Sequence, residues 1–514
     1  MRSIRSNNVC SWVHRVTGAI LGALMVIPAV QAASEKRVTV PIALPFQQQS
    51  SAATSSSGAV PNTYAPKIQP MAFTQASSTA AAVAALYSSA ISSSAMAVSS
   101  ARQVVTASSA ATKAAAPAAK PTGAKAARPV AVNIPVITTA PIKAPRYPVG
   151  HPEAFVPEFE DYIAKKIAPF VPGVAVVIVS GGQIKSLNGY GVRRAGTRET
   201  LTPDTVFRLA SLSKPVAATA ASLLVNEGKI SWDTTITSVL PNVTFSNARY
   251  GKQLTLRHIL SQSSGLPRHT YSHYIDAGKS YADSVARLRY VNFVCPPGKC
   301  FAYQNVPYSL AGDMIKKKSG MSFEQYTEDK VFAVVNVRCS ASYGLASYNA
   351  SPNRAAPHIN NGKRWVPTAV VGNWYRVAPA AGVNASIVDM SRFLLAQMGK
   401  RQDVLPLSVL KPIQSRVTKN TPAQNYYGVR KAVGNTAYGM GWRVFDYGRY
   451  KNFIHHGGHV KGFRTEMVFN RDLQIGMVFL TNSETRLARD VIFKFLDSYE
   501  RAQVAAREAA KKKK

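Results

Sequence analysis

The sequence predicts an α/β protein of the α+β type, with a mixed, mostly antiparallel sheet flanked by helices and a helical subdomain. Two strand pairs at opposite ends of the C-terminal two thirds indicate this class. Gly173 to Ser180 and Gln183 to Val192 flank a Gly-Gly turn of hairpin type. Thr465 to Asn470 and Gln474 to Thr481 form the second pair. Helical patterns lie between the pairs, so both are expected to close one sheet.

The N-terminus has the pattern of an export signal. Three arginines precede or open an apolar stretch from Val16 to Val30, and small residues follow. Residues 1–32 are therefore predicted to be a signal peptide cleaved near Ala32, which implies a periplasmic or envelope-associated protein. An uncleaved membrane anchor is the alternative interpretation.

Residues 33–148 consist mainly of Ala, Ser, Pro and Thr. Such a segment has too little large apolar surface to offset the entropy lost on ordering, so a disordered linker is predicted. The alternative is an Ala-rich helix between Ala80 and Ala111, which its many serines disfavour.

A globular pattern begins after the linker. Residues 149–500 are predicted to be one catalytic domain, opening with a helix from Glu158 to Ile167. Residues 501–514 are predicted to be a basic helical tail, the end of a helix that starts near Leu487.

The chain is strongly basic, with 62 Lys and Arg against 25 Asp and Glu and a net charge of +37. This charge indicates either an anionic envelope component bound through a basic surface or a surface that is only solvated. Export argues against nucleic acid as a partner, and none is expected.

Three cysteines would remain after cleavage of the signal. Cys295 and Cys300 bracket a Pro-Pro-Gly-Lys turn, and a disulfide between them is predicted because export implies an oxidising compartment. A half-built metal site is the alternative, but no second Cys pair follows at zinc-like spacing. Cys339 is left without a predicted partner.

The chemistry is expected to centre on Ser211-Leu212-Ser213-Lys214, which opens an apolar helical run. Positions three apart share one face of a helix, so Ser211 and Lys214 can meet. A serine hydroxyl becomes a good nucleophile when a neighbouring base takes its proton, and a desolvated lysine is such a base. A serine that merely caps a helix is the alternative.

A second motif, Tyr303-Gln304-Asn305, precedes another helical run. Beside the Lys214 ammonium, Tyr303 is expected to have a pKa well below the ordinary value of about 10 and to act as general base. Asn305 is expected to hold Lys214 and a substrate amide. The alternative is a packed aromatic residue followed by an Asn turn.

The third motif, His456-Gly457-Gly458-His459, lies just before the C-terminal strand pair. Glycine lets a substrate lie against an edge strand, and a backbone N–H there can join that of Ser211 in an oxyanion hole. A metal site of His455, His456 and His459 is the alternative, but no acidic ligand stands at a suitable spacing.

Ser-Leu-Ser-Lys, Tyr-Gln-Asn and His-Gly-Gly, in this order, resemble the three motifs of class C β-lactamases and penicillin-binding-protein-like serine hydrolases. The resemblance covers about residues 150 to 497. It implies catalytic roles for Ser211, Lys214 and Tyr303, and no metal or cofactor. It also implies four substrate-binding positions: Asn305, His456, Gly458 and His459. Four further stretches resemble the family: Thr202 to Phe207, Leu256 to Pro267, Ala380 to Phe393 and Tyr438 to Trp442.

Two positions depart from that family. His456 stands where the lactamases have a lysine that helps to receive the substrate carboxylate, and Gln304 stands where Ser or Ala is usual. A neutral imidazole attracts a carboxylate less than an ammonium does. Lys461 or Arg464 is the hypothesised replacement for the missing lysine as receptor of the substrate carboxylate.

The predicted function is that of an exported serine hydrolase that forms an acyl-enzyme on Ser211. Its expected substrate is a small molecule or peptide, an amide or ester of β-lactam or cell-wall-peptide type. The alternatives are a carboxylesterase of the same family and a non-catalytic envelope protein that binds wall peptides; the three motifs together argue against the latter.

Overall fold

The computed structural model describes residues 139–337, 340–422 and 426–513. The predicted signal peptide, most of the predicted linker and Cys339 lie outside the described residues. In the described part of the chain, no helix is both long enough and apolar enough to cross a bilayer.

The main sheet has eight strands in the order β2-β1-β13-β12-β11-β10-β9-β8, and each neighbouring pair is antiparallel. Two small sheets, β3-β7-β4 and β5-β6, lie outside it. The predicted fold class is confirmed, because both terminal strand pairs belong to this one sheet. The strands are β1 Gly173–Ser180, β2 Gln183–Gly191, β3 Phe207–Arg208, β4 Ser342–Tyr343, β5 His358–Asn360, β6 Trp365–Pro367, β7 Val383–Ala385, β8 Thr418–Lys419, β9 Val433–Tyr438, β10 Arg443–Tyr447, β11 Tyr450–Val460, β12 Phe463–Asn470 and β13 Ile475–Thr481.

Helices cover the sheet and form the predicted helical subdomain between β3 and β4. They are α1 Phe155–Tyr162, α2 Ser213–Asn226, α3 Ile236–Val239, α4 Ala248–Gln253, α5 Leu256–Leu260, α6 Ser272–Asp276, α7 Tyr281–Ala286, α8 Val306–Ser319, α9 Phe323–Thr327, α10 Gly344–Ala350, α11 Ala378–Ala381, α12 Ile387–Gln397, α13 Leu407–Gln414 and α14 Val491–Lys512. Short 3₁₀ turns cover Ala168–Phe170, Ala210–Leu212, Arg287–Tyr290, Asn373–Val377 and Arg486–Arg489, and π turns cover Ile163–Ile167 and Glu328–Phe332.

Strand β1, which lies next to the edge strand β2, is buried on both faces, and this explains its unbroken apolar sequence. Val174, Val176 and Ile178 pack in the core beneath α1 and α14. The alternate residues of β1 pack in the second, larger core, against α2, α8 and α12. Since side chains alternate along a strand, one strand serves two cores.

The ends of the first and last helices differ from the prediction. The helix predicted from Glu158 begins at Phe155, and it continues as a π turn after Tyr162. The last helix begins at Val491, because a separate 3₁₀ turn, capped by the Thr485 hydroxyl, occupies residues 486–489. That helix runs without interruption through the predicted boundary at residue 500, and Ala502 is buried against the core.

A disulfide joins Cys295 and Cys300 in the helical subdomain, as the sequence predicts. The loop that it closes leads directly into the Tyr303 motif. Backbone hydrogen bonds hold the loop on the preceding segment: Gly298 N–H donates to Ser263 O and Val294 N–H donates to Gly265 O, at 2.7 and 2.8 Å.

Replacing both cysteines by serine is expected to lower the free energy of unfolding by about 2 kcal/mol, since the cross-link removes chain entropy from the unfolded state. Urea denaturation of wild type and double variant measures the difference. Dithiothreitol should bring the wild type to the variant's midpoint and leave the variant unchanged. Equal midpoints without reductant would contradict this expectation.

Candidate active site

Ser211 lies in a tight turn between β3 and α2. Ala210, just before it, has φ of 49°, a left-handed conformation that costs a non-glycine residue about 1 kcal/mol. Ser213 holds this turn, because its hydroxyl donates to Ala210 O at 2.6 Å and accepts from Val383 N–H at 3.0 Å. Ser213 is therefore structural, and it leaves Ser211 directed towards the cleft and partly exposed.

Lys214 lies one turn of helix after Ser211, fully buried at the base of the cleft. Its Nζ is 3.3 Å from Ser211 Oγ, 2.7 Å from Asn305 Oδ1 and 3.1 Å from Ala380 O. Within the described residues, no carboxylate forms an ion pair with it. Burial, reinforced by the charge of Arg443, lowers its pKa well below the ordinary value of 10.5. An uncharged amine at this position can accept the Ser211 proton.

Tyr303 lies on the other side of the same cluster, with its ring centroid 4.7 Å from Lys214 Nζ. The expected low pKa is wrong: burial raises the pKa of Tyr303 to about 12. Its hydrogen bond to Ser211 and the charge of Arg443 act in the opposite direction but do not offset burial. The expectation assumed a charged Lys214, and burial removes that charge. Tyr303 is therefore a neutral hydroxyl that can pass a proton between Ser211 and a leaving group.

Asn305 contacts Lys214 as expected, and its amide nitrogen also has a partner within the protein. Nδ2 donates to Ser272 Oγ, the first residue of α6, at 3.3 Å. Asn305 therefore links the catalytic lysine to the helical subdomain.

Gln304, the first departure from the family pattern, is buried and has a positioning role. Its side-chain amide donates to Leu266 O and Pro267 O, both at 2.9 Å, and accepts from Ser264 Oγ at 2.6 Å. Gln262 completes the arrangement by hydrogen bonding both backbone groups of Gln304. These bonds fix the segment that carries Tyr303 and Asn305, a role that sequence reasoning missed.

His456, the second departure, is also buried and has both ring nitrogens occupied. Nδ1 lies 2.8 Å from Gly457 O and Nε2 lies 2.9 Å from the Tyr438 hydroxyl. Burial, reinforced by the nearby Arg443 charge, lowers its pKa well below the ordinary value of 6.5. His456 is therefore a neutral, internally bonded side chain and a weak receptor for a carboxylate.

Strand β11 runs against the Ser211 turn at Gly458. A Cβ added there would lie 2.2 Å from Leu209 O and 3.1 Å from Leu212 N, so only glycine fits. From β12, Thr465 Oγ1 donates to the same Leu209 O at 3.0 Å. His459 follows with an exposed side chain that lies 3.5 Å from Glu484, and its backbone N–H remains the predicted second oxyanion donor.

Arg443, the first residue of β10, is a site residue that sequence reasoning missed. Its guanidinium carbon lies 4.2 Å from the Tyr426 ring centroid, 5.5 Å from that of Tyr303 and 5.6 Å from that of Tyr438. Its Nε is buried without a hydrogen-bond partner. The Arg443 charge lowers the pKa values of Lys214 and His456. The sequence feature that could have identified Arg443 is its position directly after the family-like stretch Tyr438 to Trp442.

Replacing Arg443 by glutamine is expected to raise the pKa of Lys214, because a repelling positive charge is removed. The rate of acylation by a neutral ester falls as Lys214 becomes protonated at low pH. The midpoint of this acidic limb should therefore move to higher pH in the variant, as measured by stopped-flow kinetics across pH. Arg449→Gln, an exposed arginine paired with Glu500, is the control. An unmoved midpoint in the Arg443 variant would contradict the electrostatic coupling.

Metal ligands do not cluster in the described residues: no group of three or more His, Cys, Asp or Glu side chains could hold an ion. His455 instead contacts Glu466, with Nε2 2.8 Å from Oε2, and Tyr427, whose hydroxyl is 3.1 Å from Nδ1. The predicted site residues that the structure brings together are Ser211, Lys214, Tyr303, Asn305, His456 and Gly458.

Known proteins resemble part of this chain. An unguisins hydrolase of Aspergillus campestris is 25% identical over 323 residues, covering 61% of this chain and 59% of that protein. Penicillin-binding protein 4 of Amycolatopsis lactamdurans is 28% identical over 185 residues, covering 35% of this chain and 47% of that protein. The chain thus spans about half to three fifths of the length of these relatives.

A solved structure, the octameric penicillin-binding protein homologue from Pyrococcus abyssi, shares the fold with a TM-score of 0.55. It is 23% identical, and the match covers 64% of this chain and 73% of that one. The Beta-lactamase family model matches residues 159–494, more than half of the chain. The predicted resemblance to this family is thereby confirmed, and this chain belongs to the Beta-lactamase family.

Proposed function

We propose that the protein is an exported serine hydrolase that cleaves an amide or ester through an acyl-enzyme on Ser211. The observation that carries the proposal is the fully buried Lys214, whose pKa is well below its ordinary value and whose Nζ is 3.3 Å from Ser211 Oγ. A buried, uncharged amine beside a hydroxyl in a strained turn contributes little to stability, but it can activate the hydroxyl as a nucleophile.

The proposed acylation has two steps: the first forms the bond from Ser211 Oγ to the carbonyl carbon, the second breaks the bond to the leaving group, and each moves a proton. Lys214 Nζ takes the Ser211 proton as Oγ attacks the substrate carbonyl carbon. The backbone N–H groups of Ser211 and His459 stabilise the resulting oxyanion. The leaving group then takes a proton from the Tyr303 hydroxyl as the C–N or C–O bond breaks, and the adjacent Lys214 ammonium returns to Tyr303 the proton that it took from Ser211. Water reverses this sequence to release the acid.

The substrate is proposed to be of β-lactam or cell-wall-peptide type, with a carboxylate near the scissile bond. Arg443 supports this, because its half-buried guanidinium forms no ion pair with an acidic residue among the described residues and adjoins Tyr303. The names of the penicillin-binding relatives agree with it. Neutral His456 favours a second candidate, a carboxylesterase for substrates without a carboxylate.

Intact-mass spectrometry of the full chain over time after mixing with a penicillin tests the proposal, with Ser211→Ala beside it. A wild-type adduct of the mass of the penicillin, absent in Ser211→Ala, is expected, and its decay measures hydrolysis. Ser213→Ala controls for loss of a neighbouring hydroxyl, and it should still form the adduct, more slowly if the turn loosens.

A neutral p-nitrophenyl ester distinguishes the two enzymatic candidates. Ser211-dependent hydrolysis of the ester without a penicillin adduct would favour the carboxylesterase. Absence of any Ser211-dependent adduct or product with both reagents would overturn the hydrolase proposal and leave a protein that only binds wall peptides.

A further inference from the structure

Positive charge without ion-pair partners lies in the segment that leads into the Tyr303 motif. Residues 246 to 300 contain eight Lys or Arg and two Asp or Glu. Among these eight, counting only carboxylates in the described part of the chain, Arg257 alone forms an ion pair, with Asp233. The basic residues around α14 differ, because several are paired: Arg501 with Glu158, Arg449 with Glu500, and Lys165 with Asp161.

Several of these basic side chains line a surface cleft of about 690 Å³. It lies between α6, α7 and the 3₁₀ turn Arg287–Tyr290. Its lining combines basic side chains, two tyrosine rings, two alanines and one acid: His273, Lys279, Arg287, Arg289, Tyr274, Tyr290, Ala277, Ala286 and Asp283.

The arginines of the cleft are arranged to present N–H groups to an anion. Arg287 Cζ lies 5.1 Å from the Tyr274 ring centroid, and Arg289 Cζ lies 4.8 Å from that of Tyr290. A guanidinium packed on a ring keeps its in-plane N–H groups free, and these match a carboxylate in a two-pronged hydrogen bond. The ring contact also reduces the side-chain entropy lost on binding.

The cleft is connected to the catalytic residues. Helix α6, which forms one of its walls, begins at Ser272, whose hydroxyl accepts the hydrogen bond from Asn305 Nδ2. Asn305 in turn contacts Lys214 at 2.7 Å. Helix α6 therefore links the cleft to the catalytic lysine through Asn305.

We propose that this cleft binds an acidic peptide segment of the substrate, an inference that rests on the proposed hydrolase function. Carboxylates would bind Arg287 and Arg289, and the tyrosine rings and alanines would contact the aliphatic parts of side chains. Asp283, which can accept from peptide N–H groups, favours a peptide over a purely anionic polysaccharide. The concave shape favours a single chain over the flat surface of a bilayer.

The test is binding of fluorescein-labelled hexaglutamate to the full chain, measured by fluorescence anisotropy at low ionic strength. The double variant Arg287→Ala/Arg289→Ala is expected to bind about tenfold more weakly than wild type. The control is Lys317→Ala/Lys318→Ala, which removes the same charge from exposed positions of α8 and should retain wild-type affinity. Equal affinity of the cleft variant and wild type would overturn the proposal.

Two further measurements separate the partner classes and the two proposals. The cleft substitutions should weaken binding of the protein to dextran sulfate and to phosphatidylglycerol vesicles much less than they weaken binding to hexaglutamate. An equal loss of affinity for all three would overturn the assignment to peptides. The cleft variant should still form the Ser211 penicillin adduct at the wild-type rate. If wild type binds hexaglutamate through the cleft but shows neither a Ser211-dependent adduct nor Ser211-dependent ester hydrolysis, the cleft stands as a binding site and its role as a substrate subsite is overturned.

Discussion

Lys214→Met is expected to reduce the rate of Ser211 acylation by about 10³-fold or more, because the variant keeps the shape of the side chain but has no base. The loss should appear in single-turnover acylation, with either a penicillin or a neutral ester. Lys317→Met, on an exposed position of α8, is the control and should retain wild-type rates. Wild-type acylation by Lys214→Met would exclude the lysine as the base.

The same substitution should not destabilise the protein at neutral pH, which separates a chemical role from a structural one. The pKa of Lys214 is lower in the folded protein than in the unfolded chain, so unfolding takes up a proton below the unfolded value near 10.5. Wild-type stability therefore rises with pH towards that value. Lys214→Met lacks this dependence, so its stability relative to wild type should be greatest at low pH and decline as pH rises.

Gly458→Ala is expected to reduce acylation by about 10²-fold to 10³-fold, since small displacements of catalytic groups and loss of an oxyanion donor each have effects of that size. The added Cβ would lie 2.2 Å from Leu209 O, so β11 or the Ser211 turn must move. Circular dichroism and single-turnover acylation together measure fold and rate.

Gly434→Ala on β9 is the matched control for this substitution. A Cβ at Gly434 meets nothing within 4 Å, and the residue is not in a left-handed conformation, so wild-type rates are expected. A Gly458→Ala protein with wild-type acylation would show that the strand and the serine turn can separate without cost to catalysis.

Sequence reasoning predicted most features that depend on local periodicity. The predicted hairpin of β1 and β2 differs from the observed one by a single residue. The prediction was accurate because a Val- and Ile-rich run and a Gly-Gly turn specify the hairpin locally. Ser211 and Lys214 meet because three residues make nearly one helical turn. Helix ends were less predictable: α1 begins without a side-chain cap, so no residue type marks its start.

The remaining features of the site depend on contacts between distant segments. Arg443 reaches Tyr303 because β10 pairs with β11 in the register that places Arg443 opposite His455, and no local pattern specifies that register. The direction of the Tyr303 pKa depended on whether Lys214 is charged, which burial in the folded protein decides. Composition likewise revealed a basic protein but not where its unpaired charges lie.

The position of β1 between β2 and β13 has a consequence for how the chain acquires its fold. The Thr481 hydroxyl donates to Gly173 O, a contact between residues 308 positions apart. A ribosome must therefore complete nearly the whole domain before β1 can find its partner on that side. Contacts of such long sequence separation slow folding. Until β13 pairs with it, the apolar hairpin of β1 and β2 has an unpaired strand edge. The edge of β1 that faces β13 should therefore stay unpaired on the ribosome until the last strand has emerged.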